Sequence, residues 1–255
     1  MKKIAVVTGA SAGMGRVFAE TITNWGELDE VWVIARREDR LKELQCGVPV
    51  RALPMDLTDR ANHRRYADLL AQEQVQVVLL VNAAGFGKFC GTLEVPVEEN
   101  LNMVDLNCQA LMAMCQLTIP HMPRGGRIIN FASVAADQPI PFINVYAATK
   151  TFVLSYGRAL NRELKPLGIG VTTVCPFWTM TEFFDRAIPK DREPVVKSYA
   201  AMYKAEDVVA RAWKDAKAGK EVCRFGFIAR AQSLLAKLLP HSFIMNVWMR
   251  QQKLN

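Results

Sequence analysis

A chain of 255 residues, 51% hydrophobic and 22% charged, has the composition of an ordinary globular protein and enough length for one large α/β core. No stretch approaches the ~20 uninterrupted apolar residues of a spanning helix, and Met1-Lys2-Lys3 leads straight into a strand instead of a signal peptide, so a cytoplasmic location is expected. The net charge of +7 arises from 32 basic and 25 acidic residues that are scattered, not striped, which argues against a nucleic-acid partner.

Lys3-Ile4-Ala5-Val6-Val7-Thr8 reads as a strand, and Gly9-Ala10-Ser11-Ala12-Gly13-Met14-Gly15 as a tight turn opening a helix to about residue 24. Glycines at 9, 13 and 15 make a looser variant of the dinucleotide turn. Without β-carbons the backbone can approach a pyrophosphate, and the helix N-terminal amides can hold its charge. Residues 30–35 form the second strand. Dinucleotide folds place an acidic residue at its end to accept from the ribose 2′-hydroxyl, but Arg36 and Arg37 stand here. A guanidinium suits a 2′-phosphate by charge and by its forked donors, so NADP(H) is expected over NAD(H).

A third strand spans 48–53, with Asp56 beyond it where an adenine amino group would lie, and a helix covers 60–72. The fourth strand, 75–81, is almost purely aliphatic, as a strand covered on both faces must be. It ends in Asn82-Ala83-Ala84-Gly85, where small residues let backbone lie close to a ligand and Asn82 can brace its neighbours. A helix over 97–118 carries Asn107 in its middle, an unfavourable place for Asn unless the amide is bonded.

Arg127-Ile128-Ile129-Asn130-Phe131-Ala132 is a fifth strand, with Ser133 at its carboxyl end, where open parallel sheets put their ligands. On the following helix, 145–164, Tyr146 and Lys150 lie one turn apart on one face. That spacing alone is shared by many packed rings beside solvated charges. With Ser133 it makes a site for moving a proton onto or off a small oxygen. The sixth strand, 168–175, is closed by Pro176. Residues 177–204 are rich in aromatics (Phe177, Trp178, Phe183, Phe184, Tyr199, Tyr203) and read as a substrate loop or lid. A helix over 205–218, a short strand over 221–224 and a final helix complete the pattern.

The stretch 231–255 is strongly apolar and is interrupted by Pro240. Packing on its own domain or subunit is the expected fate. Capping the pocket and peripheral contact with a membrane remain open alternatives. Six cysteines without a Cys-x-x-Cys pair, and three histidines far apart, point to reduced thiols and no metal site.

Taken together, Thr8-Gly9-x-x-x-Gly13-x-Gly15, Asn82-Ala83-Ala84-Gly85, Asn107, Ser133 and Tyr146-x-x-x-Lys150 resemble the short-chain dehydrogenase/reductase family in order and spacing. The resemblance implies a single doubly wound Rossmann domain over 1–255, with a seven-stranded parallel sheet and helices on both faces. It implies that Tyr146 is the acid in carbonyl reduction and the base in alcohol oxidation, and that Ser133 holds the substrate oxygen. Lys150 would bind the nicotinamide ribose, and Asn107 would keep a water behind it. A free phenol titrates near ~10, and the Lys150 ammonium together with the positive nicotinamide ring of the oxidised cofactor is expected to pull that value down. The implied NADP contacts are Gly9, Ser11, Gly13, Met14, Gly15, Arg36, Arg37, Asp56, Leu57, Asn82, Ala83, Gly85, Tyr146, Lys150, Pro176, Thr179 and Thr181.

One departure stands out: Phe177 follows Pro176 where the family usually has glycine, and it is expected to wall the pocket. The function so predicted is an NADP(H)-dependent oxidoreductase interconverting a ketone and a secondary alcohol. The aromatic lid favours a lipophilic substrate such as a steroid or acyl ketone, and the family suggests a homodimer or homotetramer. The alternative is a non-catalytic NADP-binding sensor or interaction protein on the same fold, which has little need to keep Asn107, Ser133, Tyr146 and Lys150 together.

Overall fold

In the computed structural model, which describes residues 1–191 and 193–254, runs of Val, Ile and Leu form strands that alternate with helices. Arg192 and Asn255, within the predicted lid and tail, lie outside the described residues. The strands are β1 (Lys3–Thr8), β2 (Glu30–Ala35), β3 (Val50–Pro54), β4 (Gln76–Asn82), β5 (Arg127–Phe131), β6 (Gly170–Val174), β7 (Thr179–Met180), β8 (Tyr203–Lys204) and β9 (Val222–Cys223). Seven of them form one parallel sheet in the order β3-β2-β1-β4-β5-β6-β9. The order reverses between β1 and β4, which opens a crevice at the carboxyl ends of the strands. The predicted seven-stranded doubly wound sheet is the one observed.

The helices are α1 (Gly13–Glu20), α2 (Glu38–Lys42), α3 (Arg60–Glu73), α4 (Val97–Val104), α5 (Leu111–Thr118), α6 (Asn144–Glu163), α7 (Phe183–Ala187), α8 (Ala205–Lys217), α9 (Phe227–Leu238) and α10 (His241–Gln252). Alternation along the strands sends side chains to two cores, because successive residues face opposite sides of a sheet. Ile4, Val6, Leu80 and Val171 pack on one side with Leu70 of α3, Met114 of α5 and Val153 of α6. Ala5, Val7, Val33 and Val81 pack on the other with Phe18 of α1 and Trp213 of α8. Between strands, Asn82 Nδ2 donates to Asn130 Oδ1 at 2.9 Å, the brace expected at the end of β4. All six cysteines are buried, and none is in a disulfide.

Four local expectations are corrected. The helix over 97–118 is broken by a π-helical turn, Asp105–Ala110, with Asn107 inside it; single π turns inside α-helices are frequent at functional sites. The first helix stops at Glu20, and a short 3-10 turn, Ile22–Asn24, follows. The segment 177–204 is not a plain loop, because β7 and β8 pair in parallel and enclose α7. The final helix is two, since Pro240 has no amide hydrogen to continue α9 and instead caps α10. No helix among the described residues is long and apolar enough to cross a membrane.

Candidate active site

The carboxyl ends of the strands open into a cleft of about 1640 Å³. That exceeds the roughly 300–1,000 Å³ usual for a single small ligand, leaving room for a dinucleotide and a second molecule together. At its switch-point end the turn after β1 crosses so closely that a β-carbon on Gly15 would lie 2.4 Å from the Gly9 carbonyl oxygen. Gly13, Met14, Leu57, Ala83 and Gly85 wall this end of the cleft.

Cations gather beside that turn. Arg37, at the start of α2, donates through Nε and Nη2 to Ser11 Oγ at 3.3 and 3.1 Å. Its Nη1 lies 3.1 Å from the Glu182 carboxylate, whose other oxygen takes Arg40 Nη1 at 2.5 Å. These bonds, Arg40's first, hold the Glu182 carboxyl below the usual carboxylate range. Arg36 Nη1 stands 3.9 Å from Asp56. Burial alone would raise the Asp56 carboxyl, but two hydrogen bonds from Thr58 and the Arg36 charge bring it down. A close-approach glycine turn beside three guanidiniums and a hydroxyl suits the phosphates of a dinucleotide.

At the other end, Ser133, Tyr146 and Lys150 converge. Ser133 caps the short turn Val134–Asp137 after β5, its Oγ accepting from Ala135 N at 3.1 Å, and it lines the cleft together with Tyr146. Lys150 is buried; its Nζ donates to the Phe131 carbonyl at 2.8 Å and sits 5.6 Å from the Tyr146 ring centre. For the protein chain alone, the phenol is not lowered. Burial dominates and pushes Tyr146 up to about 12, with Ser133 pulling the other way. Burial also lowers the Lys150 ammonium to about 8. In this setting Tyr146 keeps its proton at neutral pH.

Asn82 and Asn107 do not line the cleft. Asn107 Oδ1 accepts from Phe86 N at 3.0 Å, while Nδ2 donates to the Phe86 carbonyl at 2.9 Å and to Thr149 Oγ1 at 3.0 Å. Thr149 Oγ1 donates in turn to the Tyr146 carbonyl at 2.7 Å. A β-carbon on Gly85 would meet Asn107 Oδ1 at 2.9 Å and Lys150 Nζ at 3.4 Å, so the amide lies just behind the ammonium. Pro176, Thr179 and Thr181 line the cleft, but the Thr179 hydroxyl donates to the Phe177 carbonyl at 2.9 Å. Phe177 walls the cleft as expected and also packs on Val134 and Ala229 of α9.

Sequence reasoning missed three residues, Phe89, Gly87 and Glu182. Phe89 is buried at the centre of an aromatic cage, its ring 6.0 Å from Tyr146 and 5.9 Å from both Trp178 and Phe183. Gly87 has no room for a side chain, since a β-carbon would lie 2.9 Å from Tyr146 Cδ2 and from Phe183 Cζ. Arg40 and Glu182 complete the charge cluster. Arg40 sits one turn beyond Arg37 on the helix and belongs with the Arg36 and Arg37 cations already legible in the sequence; no local signal marks the missed three.

Comparison with known proteins bears on the family and the fold. Residues 3–192 match the short chain dehydrogenase family. A 3-ketodihydrosphingosine reductase of Bacteroides thetaiotaomicron is 32% identical over 186 residues, 72% of this chain and 66% of that protein. A short-chain dehydrogenase from Sphingobium yanoikuyae, solved with NADPH, superposes with a TM-score of 0.77 at 27% identity, covering 96% of each chain. A short chain dehydrogenase/reductase from Burkholderia phymatum, solved with NAD, gives a TM-score of 0.78 at 23% identity over 92% of each chain, a likeness of fold alone. With the sheet order, the glycine turn and the match over residues 3–192 in agreement, the chain belongs to the short chain dehydrogenase family.

Proposed function

We propose that the protein is an NADP(H)-dependent reductase converting a lipophilic ketone to a secondary alcohol. The observation that carries this reading is the meeting, in one cleft, of Ser133 and Tyr146 with the buried Lys150 ammonium beside an aromatic cage. At the far end of that cleft Arg36, Arg37 and Arg40 supply cations for a 2′-phosphate. Gly9, Ser11, Gly13 and Gly15 would hold the pyrophosphate, and Asp56 and Leu57 the adenine side. Lys150, Pro176, Thr179 and Thr181 would hold the nicotinamide side. A nicotinamide bound there supplies the hydride that reduces the carbonyl carbon.

The protein's own part is placement and proton transfer. Ser133 donates to the carbonyl oxygen, so that negative charge developing on it is met by a fixed donor. Tyr146, protonated at neutral pH, delivers its proton to that oxygen as the alcohol forms. Lys150 remains next to the phenol and stabilises the phenolate left behind until solvent protons restore it. Asn107 acts at one remove, through Phe86 and Thr149, and is a positioning residue for this pair.

The cage of Phe89, Trp178, Phe183, Phe184 and Tyr199 favours a substrate with apolar bulk at its ketone. The Bacteroides relative, named for a ketone on a long-chain base, supports the same class. Leu101 and Val97 of α4 and Phe152 of α6 are exposed apolar residues, and we assign to these helices the self-association of a cytoplasmic homodimer or homotetramer.

The test is NADPH oxidation against acyl, steroid and small polar ketones, with NADH in parallel. Turnover of the lipophilic ketones with NADPH is expected, and Tyr146→Phe should abolish it while NADPH still binds. A Tyr146→Phe variant with undiminished turnover sinks the mechanism. NADPH binding by the wild type with no turnover of any ketone favours the sensor reading.

A further inference from the structure

Helix α9 packs the opposite way round from an ordinary surface helix. An amphipathic helix buries its large apolar side chains and exposes its small and polar ones. Here the buried residues are Ala229, Ser233 and Ala236, while Phe227 (84%), Leu234 (58%), Leu235 (52%) and Leu238 (70%) stand exposed. Phe243 and Val247 of α10 continue the apolar surface. This orientation is held firmly. Ser233 Oγ donates to Asp137, whose other oxygen takes Arg224 at 2.7 Å. Trp248 Nε1 donates to the Pro141 carbonyl at 3.1 Å, and Gln252 Oε1 accepts from Lys197 N at 2.8 Å.

Two further features say what this face meets. From Val222 to the last residue the chain has no Asp or Glu, and while Arg224 is neutralised by Asp137, Arg230, Lys237, Arg250 and Lys253 stand exposed. Arg230, Leu234, Lys237 and Leu238 follow at helical spacing, so exposed cations and exposed leucines share one stripe. The same two helices also form the rim of the cleft: Phe227, Leu235, Phe243 and Val247 line it. Leu234 and Leu238 do not, and point beyond it.

We propose that α9 and α10 dock the cleft mouth onto an anionic lipid bilayer. The leucines enter the headgroup boundary, and the cations meet lipid phosphates. Apolar area and opposite charge act together in such binding, and neither suffices alone. A lipophilic molecule would then pass from the bilayer to the cleft along the Phe227–Phe243 rim without crossing water.

Full-length protein, without cofactor or substrate, is sedimented with vesicles of pure phosphatidylcholine and with vesicles half phosphatidylglycerol. The measurement is therefore separate from the ketone reading and can fail while that reading stands. Most of the protein should pellet with the mixed vesicles and little with pure phosphatidylcholine, and added salt should release it. Leu234→Asp/Leu238→Asp, and separately Arg230→Glu/Lys237→Glu, should each weaken partitioning more than about tenfold, with thermal melts showing that both variants fold. Absence of sedimentation with mixed vesicles overturns the proposal, as does equal binding to both compositions. So does light scattering showing a wild-type oligomer that Leu234→Asp/Leu238→Asp dissociates, which would make this face a contact between copies.

Discussion

Arg40 and Glu182 are 142 positions apart in sequence, yet their side chains meet at 2.5 Å. The contact ties the helix after β2 to the residue that caps α7, at the edge of the aromatic cage. A carboxylate thus occupies the guanidiniums that a 2′-phosphate would use. Glu182→Gln should free them and tighten NADPH binding by about three- to tenfold, the worth of one or two surface ion pairs, with NADH unchanged. Arg40→Ala should weaken NADPH in the opposite sense. Fluorescence titration of both coenzymes measures each effect, and equal shifts for NADH and NADPH would refute the assignment.

Lys150 sets a pH limit. Burial lowers its ammonium from 10.5 to about 8, so the cation is present below that value and lost as pH rises through it. The kcat/KM for coenzyme, which reports groups of the free enzyme, should fall as pH rises through about 8. Lys150→Arg, whose charge persists to far higher pH, should remove the fall even where its absolute rate is low. A wild-type profile flat through that region would show that the lysine charge is not needed.

Asn107 satisfies both main-chain groups of Phe86 inside a buried turn. Asn107→Leu orphans an N–H and a C=O, at a cost of about 1–3 kcal/mol for each group left unsatisfied. A drop in thermal midpoint with a lower kcat is expected. Asn107→Asp, which keeps the acceptor, should recover part of the stability. If Asn107→Leu melts like the wild type, the brace is not structural.

Asp137 holds Arg224 and Ser233 at the root of α9. Its side chain is 5% exposed, so Asp137→Ala leaves Arg224 largely buried without its carboxylate. Breaking such a pair costs about 3–5 kcal/mol when fully buried, and somewhat less here because Arg224 keeps some solvent. Hydrogen exchange should show loss of protection concentrated in α9 and in the turn after Ser133. A uniform loss across the sheet would mean that Asp137 supports the fold at large instead.

What the sequence determined by itself is what short-range periodicity records. Alternating Val, Ile and Leu dictate buried parallel strands, and glycines at 9, 13 and 15 dictate a close turn. The four-residue step from Tyr146 to Lys150 dictates one helical face. The direction of the Tyr146 shift was not legible, because it depends on how much water Phe89, Phe183 and the cleft walls exclude. The Glu182 contact, the π turn around Asn107 and the reversed face of α9 were hidden for a related reason. Each depends on residues brought together by crossovers of a parallel sheet, which join segments far apart in the chain, and only the packed tertiary structure decides which of them touch.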